Sequence, residues 1–182
     1  MASEMEKMLA GGPYLADDPD LVASRHHCQA VLREFNQLPE QDLDGTVLGE
    51  LFGAAGTGTY VQAPFTCDYG FNISIGEGSF INFGCVVLDS SPVLIGDKVQ
   101  IATGVQLLTA EHPIDPVERR KDIQLNRPVT IEDNVWLGAG VIVCPGVTVG
   151  ENSVIGAGSV VIRDVPPNVL AVGNPCRVVR DI

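Results

Sequence analysis

His112 is the residue of this chain best suited to acid–base chemistry. It follows Thr109-Ala110-Glu111 and precedes Pro113, in a charged stretch from Thr109 to Pro128 that holds three prolines. A neutral imidazole, with an ordinary pKa of about 6.5, takes a proton from a hydroxyl or thiol. Pro113 and Pro116 stiffen the segment and so limit where the ring points. Asn82 follows the aliphatic Ile81, Asp89 lies in "LDSS" and Asp68 lies further upstream. Carboxylates and amides in such places orient ligand hydroxyls, and the same residue types also form turns. Trp136, the only tryptophan, could stack on a ligand or pack on the 109–128 segment. A zinc site of the carbonic-anhydrase type needs three histidines. His26 and His27 are adjacent on a predicted helix, point about 100° apart and cannot chelate as a pair. No metal is expected.

Composition excludes several partners. The 182 residues carry 11 basic and 23 acidic side chains, a formal charge of −12. A nucleic-acid surface or an anionic membrane needs clustered cations, so neither is expected. No apolar run approaches the ~18 residues of a membrane span, and "MASEMEKMLAGG" has no apolar h-region. A cytoplasmic location is expected. The five cysteines are widely spaced with no CxxC, which predicts reduced thiols.

The elements that must position these residues show in a period of six. Ile75, Ile81 and Val87 form one series, and Ile95, Ile101 and Leu107 a second. Ile131, Leu137, Val143, Val149, Ile155 and Val161 form an unbroken third. The residue two before each is small or β-branched. This fits neither a helix, with its period of 3.6, nor long strands joined by hairpins. It predicts a parallel β-helix in which each hexad is a short strand and a turn, and three hexads make a triangular coil. From Val87 to Ile95 the step is eight, and from Leu107 to Ile131 it is 24. We read the second break as a loop, 109–128, extruded from one corner. Residues 1–56 lack the hexad and read as a helical cap, with residues 57–182 forming the β-helix and C-terminal segment. "EKMLAG", "DPDLVASRHHCQAVLREFNQL" and "DLDGTVLGELFGAAG" are the predicted helices. In the second, Asp18 is the N-cap, Pro19 the first helical residue, and Leu21, Cys28, Val31, Leu32 and Phe35 the apolar stripe. The cap would cover the open edge of the first coil.

"CDYGFNISIG", "INFGCVVLD", "TAEHPIDPVERR", "VTIEDNVWLGAGVIVCPGVTVGENSVIGAGSVV" and "VPPNVLAVGNPCRVVRDI" resemble the maltose/galactoside O-acetyltransferases. The resemblance covers nearly the whole chain and implies a mainly β fold: a left-handed parallel β-helix of hexapeptide repeats with an N-terminal helical cap and an extruded loop. It implies a homotrimer with active sites between subunits, acetyl-CoA as donor and a sugar hydroxyl as acceptor, attacked directly without an acyl-enzyme. His112 matches the general base, and Asn82 the amide that assists at the reacting centre. Asp17, Asp68, Asn82 and Ser90 match acceptor contacts. Asp89, Trp136, Ala139, Ala157, Ile162, Arg163, Arg177 and Arg180 match positions along the acetyl-CoA groove, the arginines near its phosphates. Ser90 stands where the galactoside enzyme has Asp, Ile162 where relatives have Thr, and Ala139 where some have Ser.

Two other readings stay open at this level. A non-catalytic β-helix scaffold would share the hexads but has no use for a stiffened "EHP". An acetyltransferase for a non-sugar acceptor, such as serine or an antibiotic, could use the same base.

Overall fold

The computed structural model describes residues 2–39 and 45–182. Its core is a parallel β-helix with three sheets as the faces of a triangular prism. The inward residues stack in columns. Ala55, Ile75, Ile95, Ile131, Val149 and Val165 form one. Val61, Ile81, Ile101, Leu137, Ile155 and Ala171 form the next. Cys67, Val87, Leu107, Val143 and Val161 form the third. Every aliphatic predicted from the hexads is buried, as is the residue two before it. Each such side chain taken from water contributes about 1.5–3 kcal/mol, so the columns dominate the stability of the fold.

The first coil starts earlier than the periodicity suggests. The strand Ala54–Ala55 pairs with Ser74–Ile75, so the end of the third predicted helix is already β-helix. Its inward positions, Ala55, Val61 and Cys67, keep the six-residue step, but Ala55 and Cys67 are weak markers, being small and sulfur-bearing, which hides the series. Asp68 therefore belongs to a corner of the first coil.

The cap holds α1 (Glu4–Leu9), α2 (Pro19–Phe35) and α3 (Gly45–Leu51). Ser3 and Glu6 form a capping box at α1. Asp18 caps α2 and Pro19 opens it, as the sequence predicts. Leu32, Phe35, Leu48 and Phe52 pack on Val61 and Phe65, closing the first coil. Phe52 meets Phe65 edge to face at 5.4 Å between ring centres. Asp42, Leu43 and Asp44 of the third predicted helix lie outside the described residues. Among the described residues, no helix is long and apolar enough to cross a membrane.

The breaks in rhythm coincide in space. The steps of eight from Cys67 to Ile75 and from Val87 to Ile95, and the step of 24 from Leu107 to Ile131, fall at one corner in successive coils. The long insertion is partly ordered into secondary structure. Ala110–Glu111 pairs antiparallel with Leu125–Asn126, and Tyr14–Leu15 of the cap pairs with Ile123–Gln124. Between them lies the one-turn helix α4 (Pro116–Arg119). The cap thus does more than cover the first coil: its 14–15 strand also ties down the returning limb of the loop.

Candidate active site

The stacked insertions and the cap enclose two adjoining cavities that share Ala16, His112 and Gln124. The inner one, about 360 Å³, adds Arg25, Asp68, Tyr69 and Ser90. The outer one, about 430 Å³, adds Asp17, Arg119 and Asp122. Four residues singled out from the sequence, His112, Asp17, Asp68 and Ser90, thus meet at one place. Arg25, Tyr69, Gln124, Arg119 and Asp122 were not singled out. Arg25 sits between Leu21 and Cys28 on the buried side of α2, and Tyr69 lies in the first corner insertion, as Ser90 does in the second. Gln124 reaches the site through strand pairing with Tyr14, for which the sequence carries no signal.

Local geometry shows how His112 is held. The loop base is closed by a fork in which Arg127 Nε donates to Glu111 Oε2 at 2.7 Å and Nη2 to Oε1 at 2.6 Å. This hydrogen-bonded pairing holds the Glu111 carboxyl below its ordinary pKa. Asp115 caps α4 by accepting from the Val117 and Glu118 N–H groups. Arg119 Nη1 donates to the carbonyls of Pro113 and Ile114 at 3.2 and 3.0 Å, directly after the histidine.

Beneath His112 the corner is polar and buried. Asp89 Oδ1 accepts from the Asp68 and Tyr69 N–H groups at 3.0 and 2.8 Å, and the Asp89 carbonyl accepts from Asn72 Nδ2. The side chain is fully buried and staples two corner insertions together. Burial pushes its carboxyl up to about 6, reinforced by the neighbouring Asp68 and opposed by the two N–H donors. Burial also raises Asp68, partly offset by Arg25. Arg25 donates to Tyr69 Oη and the Ala16 carbonyl, both at 2.7 Å, and so ties α2 to the site. Ser90 Oγ lies 3.2 Å from Thr109 Oγ1. Asn126 Nδ2 donates to the Met8 and Ser90 carbonyls, joining loop, cap and coil.

The remaining predicted residues lie elsewhere. Asn82 occupies the neighbouring corner, where its Oδ1 accepts from the Phe83 N–H at 2.8 Å. Ala139 and Ala157 are exposed at that same corner, and the Gly158 N–H bonds the Ala139 carbonyl. Arg163 and Arg177 line one small cleft of about 160 Å³. Arg180 stands on the edge strand Arg177–Asp181, and Ile162 is exposed beside Arg163. Trp136 lies on the strand Trp136–Leu137, outward and half exposed, in register with Gln100 and Val154. Its outward position on a flat face holds it away from the loop. None of these residues lines a cavity that contains His112. His26 and His27 are exposed on α2.

A parallel β-helix of hexads with a loop-borne histidine beside a polar cavity defines the class of hexapeptide-repeat acyltransferases. Comparison with known proteins narrows this. The maltose acetyltransferase hexapeptide capping motif matches residues 7–56, the hexapeptide repeat of succinyl-transferase residues 72–108, and the bacterial transferase hexapeptide, as six repeats, residues 128–163. A maltose O-acetyltransferase from Clostridium difficile 630 is 48% identical, superposes with a TM-score of 0.97 and is matched over 100% of this chain and 98% of that one. A hexapeptide-repeat acetyltransferase from Vibrio cholerae, solved with acetyl coenzyme A, is 39% identical with a TM-score of 0.92, covering 99% and 98% of the two chains. Nodulation protein L of Rhizobium meliloti is 47% identical over 178 residues, 97% of each chain. The chain belongs to this family of acetyltransferases, those that carry the maltose-acetyltransferase cap.

Proposed function

We propose that the chain moves an acetyl group from acetyl-CoA to a hydroxyl of a saccharide, with His112 as general base. One observation carries this reading: His112 stands where a cavity walled by Asp68, Arg25, Ser90 and Gln124 meets one walled by Asp17. Such a mixture of donors and acceptors suits a neutral ligand with several hydroxyls. His112 removes the proton of the bound hydroxyl, whose oxygen becomes the nucleophile. Acetyl-CoA supplies an acyl group activated as a thioester: as the new ester bond forms, the carbon–sulfur bond breaks and the CoA thiolate leaves, taking the proton held by His112 to become the free thiol. Arg163 and Arg177 around one cleft, with Arg180 alongside, are suited to hold the phosphates of the donor, and this reconciles an acidic chain with an anionic cosubstrate. Ile162, Ala139 and Ala157 would border the same groove, and Trp136 would flank it.

The placement of Asn82 supports a homotrimer. Asn82, Ala139 and Ala157 lie at one corner of the prism and His112 extends from the next, so a neighbouring copy could bring the two sets together. The Oδ1 of Asn82 is engaged by its own chain, which leaves Nδ2 as the donor toward a ligand. In this arrangement the exposed Phe83 and Ile162 would be covered. Light scattering after size exclusion should give three chains per particle; a monomer that turns over at full rate would sink the intersubunit site.

The activity itself is tested by thiol release from acetyl-CoA across sugars, amino sugars and serine. Acceptor-dependent release by the native chain and its loss in His112→Ala is the expected result. Equal release by both proteins would remove His112 from the mechanism. A non-catalytic scaffold would show neither turnover nor calorimetric binding of CoA.

A further inference from the structure

We propose that Glu111 and Arg127 form a positioning pair that aims the His112 imidazole from behind while touching neither substrate. The inference rests on the reading of His112 as the base and names what holds that base in place. Ala110 and His112 line the inner cavity, whereas Glu111, between them, lines neither cavity. Successive side chains of a strand face opposite sides, so Glu111 leaves the strand Ala110–Glu111 from the back of the wall that carries the histidine. There both of its oxygens accept from Arg127, at 2.7 and 2.6 Å. Glu111 is thus committed to the arginine and not to the imidazole, unlike the carboxylate of a Ser-His-Asp triad.

Arg127 is anchored where the interruption of the β-helix ends. Its N–H donates to the Thr109 carbonyl at 3.0 Å, closing the neck of the 109–128 loop. Its guanidinium lies over Gly146, where a Cβ would stand 2.6 Å from Nη1 and 3.0 Å from Cζ. Leu107 is in register with Val143, so Gly146 belongs to the same corner one coil further on. That corner takes the plain six-residue step from Val143 to Val149. The fork therefore braces the histidine-bearing limb against the first uninterrupted turn of the corner. The cap strand Tyr14–Leu15 holds the returning limb, and the fork is the side-chain tie from that limb to the residue next to the histidine. The other charged groups around His112, namely Asp17, Arg25, Asp68, Arg119 and Asp122, line the cavities on the ligand side. Hydrogen bonding to Arg127 holds the Glu111 carboxyl below its ordinary pKa, so the fork stays intact at any pH where an imidazole is neutral.

The test compares the native chain with Glu111→Gln, Arg127→Ala and the double variant E111Q/R127A. Turnover is followed with acetyl-CoA and glucose or maltose, and the His112 ring is followed by NMR, its signals assigned by their absence in His112→Ala. A largely exposed ion pair adds little to global stability, so the melting temperature should hardly move. Each single variant should lose kcat by roughly 10- to 100-fold, as displacement of a catalytic group by about an ångström does, with the KM for acetyl-CoA unchanged. The double variant should be no slower than either single one, because the two side chains act as a unit. Arg127→Lys keeps the charge, loses the fork and should fall between native and Arg127→Ala. The ring signals, one sharp set in the native chain, should broaden or split in Arg127→Ala. Additive losses in the double variant, or native kcat in both single variants, overturn the pair. The ring signals separate this from failure of the reading beneath it. Signals that change in Arg127→Ala, in a chain that acetylates no sugar, keep the positioning pair and discard the proposed reaction. Signals that Arg127→Ala leaves unmoved overturn the pair, whether or not the chain is active.

Discussion

Two corners of the same prism contrast sharply. One turns through residues 76–79, 96–99, 132–135 and 150–153 with no inserted residue. There Asn134, Asn152 and Asn168 take left-handed conformations in successive coils, and Asn134 Nδ2 donates to Asn152 Oδ1 and Asn152 Nδ2 to Asn168 Oδ1 at 2.9 and 3.0 Å. The other corner holds 68–72, 88–92 and the 109–128 loop. It buries a carboxylate, leaves Asp89 Oδ2 and Asn126 Oδ1 without a hydrogen-bond partner among the described residues, and opens onto both cavities around His112. Repetition satisfies every coil with the same turn. Insertion breaks that solution, at the cost of buried polar groups left unpaired, and opens space beside the loop histidine. Stability should therefore concentrate at the first corner and chemistry at the second.

The largest expected effect tests the second half of that statement. His112→Ala should slow acetyl transfer by roughly 10²–10⁴-fold, the usual weight of a general base, with little change in melting temperature because the side chain is exposed. A comparable loss of Tm would mean that the loop histidine is structural.

At the regular corner the effect should invert. A Cβ on Gly76 would stand 2.5 Å from the Gly96 carbonyl carbon and 2.6 Å from the Asp97 backbone nitrogen. Gly76→Ala should cost about 2–4 kcal/mol in denaturant unfolding, while the folded fraction keeps normal kcat. Loss of kcat at unchanged stability would erase the distinction between the corners.

Asp89 sharpens the comparison because it is a cost built into the functional corner. Its carboxyl is raised to about 6 in the folded chain and returns to its ordinary value near 4 on unfolding. The folded state therefore holds the proton more tightly. The stability this provides is present below about pH 4 and is lost as pH rises through about 6. Asp89→Asn should flatten that slope, a difference of about 2 kcal/mol between pH 4 and 7 by calorimetry. An unchanged profile would show that Asp89 is ionised at little cost.

The smallest effect belongs to the amide ladder. Asn152→Ala loses two exposed hydrogen bonds and strains a φ of 61°, for about 1 kcal/mol. Asn152→Gly should recover most of it by relieving the backbone. If both variants cost the same, the hydrogen bonds outweigh the conformation.

The hexads made the β-helix legible because twelve aliphatics in three six-spaced series fit neither the period of a helix nor the alternation of long strands. The first coil was less legible, since Ala55 and Cys67 are weak markers of the same phase. Of the site, His112, Asp17, Asp68 and Ser90 were legible through the breaks in rhythm and the resemblance. The burial of Asp89 and the strand placement of Trp136 were not legible, because residue type does not reveal which way a corner side chain turns or which strand residue of a hexad faces outward.

The sequence by itself determined the architecture: a period of six sets the coil, small turn residues permit it, and insertions at one corner mark where it is interrupted. Only the tertiary structure decided what those insertions do. Stacking brings residues some twenty positions apart in the chain into register, so Asp68 and Ser90 share a wall. Strand pairing between Tyr14–Leu15 and Ile123–Gln124 carries cap residues across more than a hundred positions to meet His112. Such contacts depend on the path of the backbone through space, and no local pattern of residue types encodes them.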